Sequence, residues 1–195
     1  MVEGEIDDRF EFRFKEYASD ASMITLKYSK GALISTSLPT NLINPVMMDY
    51  MMMEMLSQAS EASNYNFDSL FIPFRCVAAD IETKMPVVFD KGYLNVAVRA
   101  SATYPFYVPP IRVDGQLLYD GGLYNNFPSD VLYEAFMPDV ILGSKVTDNT
   151  ASPNEDDLFS QLESMIRYKT NFEVLCDAMV IVEPESDIGT FDFDK

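Results

Sequence analysis

Asp120 is the residue whose setting most strongly suggests chemistry. It ends an apolar stretch that begins at Gln116, and Gly121 and Gly122 follow it directly. Glycines allow positive φ and let another group approach closely, so this pair would present the carboxylate at the end of a strand. Such a carboxylate could take a proton from a nucleophile if the site is partly dry and has preset donors for an oxyanion. The alternative is that Asp120 only caps a turn.

The residue types that the sequence lacks narrow this chemistry further. It has no histidine, which removes Ser-His-Asp and Cys-His catalysis and every His-containing metal site within these 195 residues. Cys76 and Cys176 are too few for a four-thiolate zinc site, and nothing in the sequence tells whether they meet. We expect both to be buried thiols, and we expect no metal and no cofactor. A nucleophile would need a base other than histidine.

The charge of the chain argues against two classes of partner. Its 31 acids outnumber its 14 bases, the net charge is −17 at pH 7, and the acids are concentrated in the last third. Nucleic acid and anionic membrane surfaces both require clustered Lys and Arg, so neither is an expected partner. The first residues do not form a secretory signal, and no run of about 18 apolar residues could span a bilayer. The chain as given is therefore expected to be soluble, with its compartment left open.

The first 62 residues predict a small sheet followed by a helix. Phe10, Phe12 and Phe14 alternate with charged residues, which is typical of a half-buried strand, and residues 1–40 are predicted to form an antiparallel meander. A methionine-rich helix is expected over residues 45–62, because Asn44 can cap its start and Pro45 suits its first turn. One face of this helix is almost pure thioether: Met48, Met51, Met52 and Met55. Core packing is favoured for that face, and the alternative is one wall of an acyl-chain pocket.

Residues 70–145 alternate between apolar runs and helical patterns, which favours an α/β fold. Because the runs look buried on both faces, we predict a layered fold with a mainly parallel sheet flanked by helices. Within this core, Asp114 and Gly115 predict a tight hairpin turn whose second strand ends at Asp120. Residues 146–195 form an acidic C-terminal segment, and the whole chain, 1–195, is predicted to be one domain.

An ordered series of motifs surrounds the Asp-Gly-Gly sequence. Arg99-Ala-Ser is followed by Pro105, Pro109 and Pro110, and Asp120-Gly-Gly is followed by Asn126-x-Pro. Farther upstream come Pro73-Phe-Arg-Cys-Val-Ala-Ala-Asp80, Val87-Val-Phe and Gly92. This series resembles the patatin-like lipid acyl hydrolases, also called patatin-like phospholipases, over about residues 70 to 145. The resemblance implies a Ser-Asp dyad in which Asp120 takes the serine proton, with Gly121 and Gly122 supporting the motif and no cofactor.

The sequence departs from the family at the nucleophile. No two of its eight glycines are four residues apart, so the family's Gly-x-Ser-x-Gly is absent, as is its glycine-rich oxyanion turn. Ser144 follows Gly143 but comes after Asp120, so we interpret it as a strand-end residue. Ser101, Arg99 and the two asparagines after the glycines are assigned to packing and turns rather than to catalysis.

Two functions from different classes follow from this resemblance. The first is part of a patatin-like serine acyl hydrolase that cleaves lipid or other esters, in which this chain supplies the catalytic Asp120 but not the serine and is inactive alone. The second is a catalytically dead patatin-like binding or scaffolding module. Membrane contact is expected only through the substrate. We also expect self-association, or coverage by Phe10, Phe12 and Phe14, because a missing nucleophile strand would leave an open edge.

Overall fold

The computed structural model describes residues 28–29, 32–33, 43–146, 153–156, 158–173, 176 and 178–184. Its helices are α1 (Val46–Ala62), α2 (Leu94–Ser101), α3 (Ser129–Phe136) and α4 (Leu158–Ile166), with short 3-10 turns at Phe67–Ser69 and Gly121–Leu123. Its strands are β1 (Tyr28–Ser29), β2 (Ala32–Leu33), β3 (Cys76–Asp80), β4 (Met85–Phe89), β5 (Ile111–Val113), β6 (Gln116–Asp120), β7 (Val140–Ser144) and β8 (Ala178–Val182). The protein is therefore an α/β protein, as predicted.

The predicted N-terminal meander is described only in part. β1 and β2 pair antiparallel, with Tyr28 opposite Leu33. The strand predicted around Phe10, Phe12 and Phe14 lies outside the described residues.

The predicted methionine-rich helix is confirmed, but the prediction that its methionine face packs in the core is wrong in part. The backbone N–H of Val46 donates to Asn44 Oδ1 at 3.1 Å, so the predicted cap begins α1. Met51 is 53% exposed and Met55 is 74% exposed, while Met48 and Met52 are half-buried. The helix instead places Leu56 and Ala59 against the buried cluster formed by Phe67, Leu94 and Ala97. Met48 and Met52 thus lie on the same side of the helix as Leu56 and Ala59, whereas Met51 and Met55 lie at its exposed edge.

The four-stranded sheet has the order β4-β3-β6-β5, and every neighbouring pair in it is antiparallel. The prediction of a mainly parallel sheet is therefore wrong for these strands. Short turns join β3 to β4 and β5 to β6, and a strand pair joined by so few residues can only run antiparallel. Among the described strands, only β7 and β8 pair in parallel, and their connection is long enough to carry α4 as a crossover.

Helix α2 packs on β3 and β6 and ties the sheet to α1. Ala100 of α2 forms one buried cluster with Ala78 of β3 and Leu118 of β6. Arg99 is only 5% exposed, and its guanidinium donates to Asp49 Oδ1 of α1 at 2.5 Å and to Pro109 O at 3.1 Å. This arginine is therefore a structural residue paired with an acid, in agreement with the sequence. In the part of the chain that the structure describes, every helix is too short or too polar to cross a membrane.

Candidate functional site

The β5–β6 hairpin places Asp120. Its turn residues have positive φ, 50° at Asp114 and 87° at Gly115, which is the combination that a two-residue type I′ turn requires. Val113 pairs directly with Gln116, so the predicted hairpin is confirmed with the predicted turn. Four residues after Gln116, strand β6 ends at Asp120.

The backbone of Asp120 is held from two sides. Ala78 of the neighbouring strand β3 lies opposite Asp120 in the antiparallel register. The Asp120 N–H donates to the carbonyl oxygen of Thr103 at 2.9 Å, just beyond the end of α2. Thr103 is itself fully buried, and its hydroxyl donates to Arg99 O at 2.7 Å. The carboxylate therefore stands at the end of a central strand whose backbone is fixed by the sheet and by the chain after α2.

The two glycines after Asp120 are required for close approach rather than for positive φ. A Cβ on Gly121 would lie 2.2 Å from the carbonyl oxygen of Val77, so only glycine lets this turn pack on β3. The N–H of Gly122 donates to Asp120 Oδ1 at 2.8 Å, and a Cβ on this residue would lie 2.7 Å from Asn126 Oδ1. Neither glycine has positive φ, so the prediction that they serve a positive-φ backbone is wrong, whereas the predicted close approach is confirmed.

The Asp120 carboxyl group is partly dry. Burial raises its pKa, and the hydrogen bond from Gly122 N–H and the positive charge of Arg167 lower it in part, so that the net shift is upward. Gly122 binds Oδ1, and none of the described residues donates to Oδ2. A carboxylate with a raised pKa is a stronger base than an exposed one, and no described residue competes with a proton for its second oxygen.

A second carboxylate, that of Asp80, ends the adjacent strand β3. Its hydrogen bonds give it a structural role. It is 1% exposed and accepts hydrogen bonds from Glu82 N at 2.9 Å, Thr83 Oγ1 at 2.9 Å and Gln116 Nε2 at 3.1 Å. Desolvation raises the pKa of Asp80, but these donors outweigh it, and the pKa lies below its ordinary value. Asp80 is therefore a fixed anion that joins the β3–β4 turn to the start of β6.

An open, mostly apolar cavity of about 330 Å³ lies beside the Asp-Gly-Gly turn. Its walls are Ile81, Lys84, Pro105, Phe106, Tyr119, Leu123, Tyr124, Met165, Ile166 and Tyr168. Asp120 is not in this lining, but Tyr119 before it, Leu123 of the turn after it and the adjacent Tyr124 are. Burial raises the pKa of Tyr119, and it is also the main reason that the pKa of Tyr124 is raised.

The C-terminal segment forms one wall of this cavity, which sequence reasoning missed. The N–H of Tyr168 donates to Leu123 O at 2.7 Å, and the rings of Tyr168 and Tyr124 have centroids 4.8 Å apart. Met165 and Ile166 at the end of α4 extend the same wall. The only sequence signal was the apolar content of residues 158–168 within an acidic region, and it does not reveal where the segment docks.

The remaining candidates take the structural roles assigned to them. Ser101 ends α2, and Ser144 ends β7 on an exposed position. Asn125 Nδ2 donates to Asp130 Oδ1 at 2.9 Å, which fixes the turn before α3.

Both cysteines are free thiols, and both are half-buried, so the prediction that they are buried is wrong in part. Burial raises the pKa of Cys76 to about 12, so its thiolate is scarce at neutral pH. Within the described ranges no three Cys, Asp or Glu side chains converge in a way that could hold a metal ion.

Comparison with known proteins agrees with the motif series. Residues 2–133 match the family model for patatin-like phospholipases, so the match starts well before residue 70 and ends before β7. An uncharacterized NTE family protein of Mycobacterium bovis is 42% identical over 59 residues, which are 30% of this chain and 10% of that protein. Another, from Mycobacterium tuberculosis, is 41% identical over 61 residues, 31% of this chain and 17% of that protein.

A patatin-like phospholipase domain-containing protein of Caenorhabditis elegans is 40% identical over 67 residues, 33% of this chain and 5% of that protein. The chain thus spans less than a fifth of the length of these relatives. The family match itself covers well over half of the chain and includes the Asp-Gly-Gly turn with the strands that hold it. This chain belongs to the patatin-like phospholipase family.

Proposed function

We propose that Asp120 is the general base of a serine acyl hydrolase that cleaves lipid esters, with the serine supplied by a Gly-x-Ser-x-Gly sequence that these 195 residues lack. In the first step the serine oxygen attacks the ester carbonyl carbon while Asp120 takes the hydroxyl proton. The carbon–oxygen bond of the ester then breaks, and the proton passes to the leaving alcohol. Water attacks the acyl-enzyme, again giving its proton to Asp120, which returns it to the serine as the acid leaves.

The observation that carries this proposal is the state of the Asp120 carboxylate. Gly122 N–H orients one oxygen at 2.8 Å, and among the described residues no donor binds the other. Burial raises the pKa, which strengthens the base.

A binding or scaffolding module is the second candidate, because the absence of Gly-x-Ser-x-Gly from the sequence favours it equally. The two candidates differ in whether a natural form of the protein that carries such a serine hydrolyses esters. The hypothesis that this chain supplies the base predicts turnover in that form, whereas the binding hypothesis predicts ligand affinity without turnover.

The experiment measures hydrolysis of nitrophenyl and phospholipid esters, together with labelling by a fluorophosphonate probe. The 195-residue chain alone should show neither, and labelling at one of its own serines would contradict our placement of the nucleophile. In a natural form with the serine, Asp120→Asn should lower kcat by about 10²- to 10⁴-fold, the usual cost of losing a general base.

The matched control is Asp114→Asn, the same chemical change six residues earlier. It should leave kcat unchanged, since asparagine is well suited to the positive φ at that turn position. Asp120→Asn with kcat close to the parent value would show that Asp120 is a turn residue. Because the pKa of Asp120 is raised, kcat/KM should fall on the acid side at a pH above that at which an exposed aspartate titrates.

A further inference from the structure

Strand β5 ends before it reaches Asp120, so the backbone N–H of Asp120 needs an acceptor from elsewhere. The ladder between β5 and β6 ends where Ile111 lies opposite Leu118. Two further steps in this register would set Pro109 opposite Asp120, but proline has no N–H with which to continue a ladder. The Asp120 N–H donates instead to Thr103 O at 2.9 Å. The position of the proposed base therefore depends on how firmly Thr103 is held.

Thr103 is held by Arg99 through both functions of its hydroxyl group. The hydroxyl donates to the carbonyl oxygen of Arg99 at 2.7 Å, and the same Oγ1 accepts a hydrogen bond from the Arg99 guanidinium. Thr103 is fully buried and Arg99 is 5% exposed, so water competes little for these bonds. Hydrogen bonds from a charged donor are roughly twice as strong as neutral ones. Arg99 thus fixes the residue whose carbonyl receives the Asp120 N–H.

The same guanidinium also binds the segment that leads into β5. Its Nη2 donates to Pro109 O at 3.1 Å, while its Nε donates to Asp49 Oδ1 of α1 at 2.5 Å. One planar group therefore joins α1, the chain after α2 and the residue that a longer β5 would have placed opposite Asp120. The ammonium group of a lysine has its three donors on one nitrogen and cannot reproduce this fork.

We propose that Arg99 is a positioning residue for Asp120. It locks Thr103, so that the carbonyl oxygen that receives the Asp120 N–H is fixed and the carboxylate stays at the end of β6. Its effect on the reaction passes through Thr103 rather than through contact with the reacting atoms. The inference rests on the proposed function and deepens it. It also explains why the motif series contains both Arg99 and Pro109, since these two residues are hydrogen-bonded to each other.

The test measures hydrogen exchange of single backbone amides by NMR in the 195-residue chain, which needs no turnover. Arg99→Lys keeps the buried positive charge but loses the planar fork. The Asp120 N–H should then exchange about fivefold faster relative to the Leu118 N–H of the same strand, the factor expected for one weakened hydrogen bond. An arginine that contributed only to overall stability would instead change both amides by the same factor.

The matched control is Arg75→Lys. Arg75 is also largely buried, and its guanidinium binds one carboxylate, Asp68 Oδ1 at 2.7 Å, and one backbone carbonyl, Phe74 O at 2.8 Å. Both partners lie before β3 in the chain and are separate from the bonds of Thr103. Loss of the fork at Arg75 should therefore leave the ratio of the two exchange rates unchanged.

Two threonine variants decide the question if Arg99→Lys does not fold. Thr103→Val keeps the branched shape and the backbone carbonyl but removes the hydroxyl that binds Arg99. It should therefore accelerate exchange at Asp120 relative to Leu118. Thr103→Ser retains the hydroxyl and should behave like the parent.

The kinetic arm uses a natural form that carries the serine. Arg99→Lys should lower its kcat by up to about 10²-fold and leave KM unchanged, because misplacement of a catalytic group costs rate rather than substrate binding. An unchanged ratio of the Asp120 and Leu118 exchange rates, equal exchange in Thr103→Val and Thr103→Ser, or an unchanged kcat would overturn the inference. If the natural form hydrolyses no ester, the proposed function fails, while exchange at Asp120 still decides whether Arg99 holds its backbone.

Discussion

Gly121→Ala is the substitution that tests how the base is held. The alanine Cβ would lie 2.2 Å from Val77 O and 2.6 Å from Val77 C, and both atoms belong to the backbone of β3. A contact of 2.2 Å is 1.2 Å short of the 3.4 Å at which ordinary van der Waals contact begins. A backbone carbonyl in a paired strand cannot rotate aside as a side chain can, so the turn and the strand must separate.

That separation would disturb the strand pairing beside the base. Ala78, next to Val77, lies opposite Asp120, so a shift of about 1 Å strains this pair and the hydrogen bond from Asp120 N–H to Thr103 O. Overpacking typically costs about 1–3 kcal/mol, and we expect the upper end, about 3 kcal/mol, because backbone must move. For a chain of this length that corresponds to a fall in Tm of about 6–12 °C.

Urea denaturation followed by circular dichroism gives the free energy of unfolding, and two other glycines serve as graded controls. Gly122→Ala meets the movable side chain of Asn126, so it should cost less than Gly121→Ala. Gly115→Ala has open space around its Cβ but φ 87°, so it should cost only about 1 kcal/mol of backbone strain. If Gly121→Ala lies within about 0.5 kcal/mol of the parent, or costs less than Gly122→Ala, the steric account of the motif is refuted.

Three further predictions concern charge and exposed surface. The pKa of Asp120 is higher in the folded state than in the unfolded state, so its ionised form destabilises the fold at neutral pH. Asp120→Asn should therefore unfold at a higher urea concentration than the parent at pH 7. This difference in stability should vanish near pH 3.5, where the carboxyl group is protonated in both states. Arg167→Gln should raise the pKa of Asp120 further in a carboxyl NMR titration, whereas Lys169→Gln should not, and equal effects would exclude a specific role for the arginine. Leu142, 76% exposed on β7, should promote self-association, and Leu142→Lys should reduce the concentration dependence of light scattering; identical scattering would place the contact elsewhere.

The last of these predictions rests on the parallel pair β7–β8. Parallel sheets are normally covered on both faces, yet one face of this pair is apolar and more than half exposed: Val140, Leu142, Val180 and Val182. The sequence predicted self-association from an open edge. The structure describes an open apolar face as well, and the association itself stays a prediction.

The elements predicted correctly are those that local chemistry decides. The Asp114-Gly115 turn leaves few alternatives to a two-residue hairpin, and Asn44 before Pro45 marks the start of α1 wherever that helix docks. The placement of Asp120 at a strand end follows from the hairpin alone. The catalytic role proposed for it comes instead from the family resemblance.

The direction of the strands and the contacts between distant parts of the chain could not be predicted from the sequence. Cys76–Asp80 is buried along most of its length, and a buried apolar run has the same composition in either direction. Met165 and Tyr168 lie more than 40 residues after Asp120, in a region noted only for its acidity, so no local pattern placed them against Leu123. The sequence did not single out Lys84, and only the structure places it in the cavity wall.

The lengths of the connections in the β5–β6 and β7–β8 pairs have a consequence for the local stability of these two pairs. A two-residue turn closes β5–β6, whereas residues 145–177 separate β7 from β8, and closing so much longer a loop costs roughly 2 kcal/mol more in chain entropy. The wall that carries Tyr168 lies within this long connection, while Asp120 belongs to the hairpin. The β7–β8 pair should therefore open more often than the β5–β6 hairpin, as elements of lower local stability do. Asp120 would then keep its geometry while that pair is disturbed.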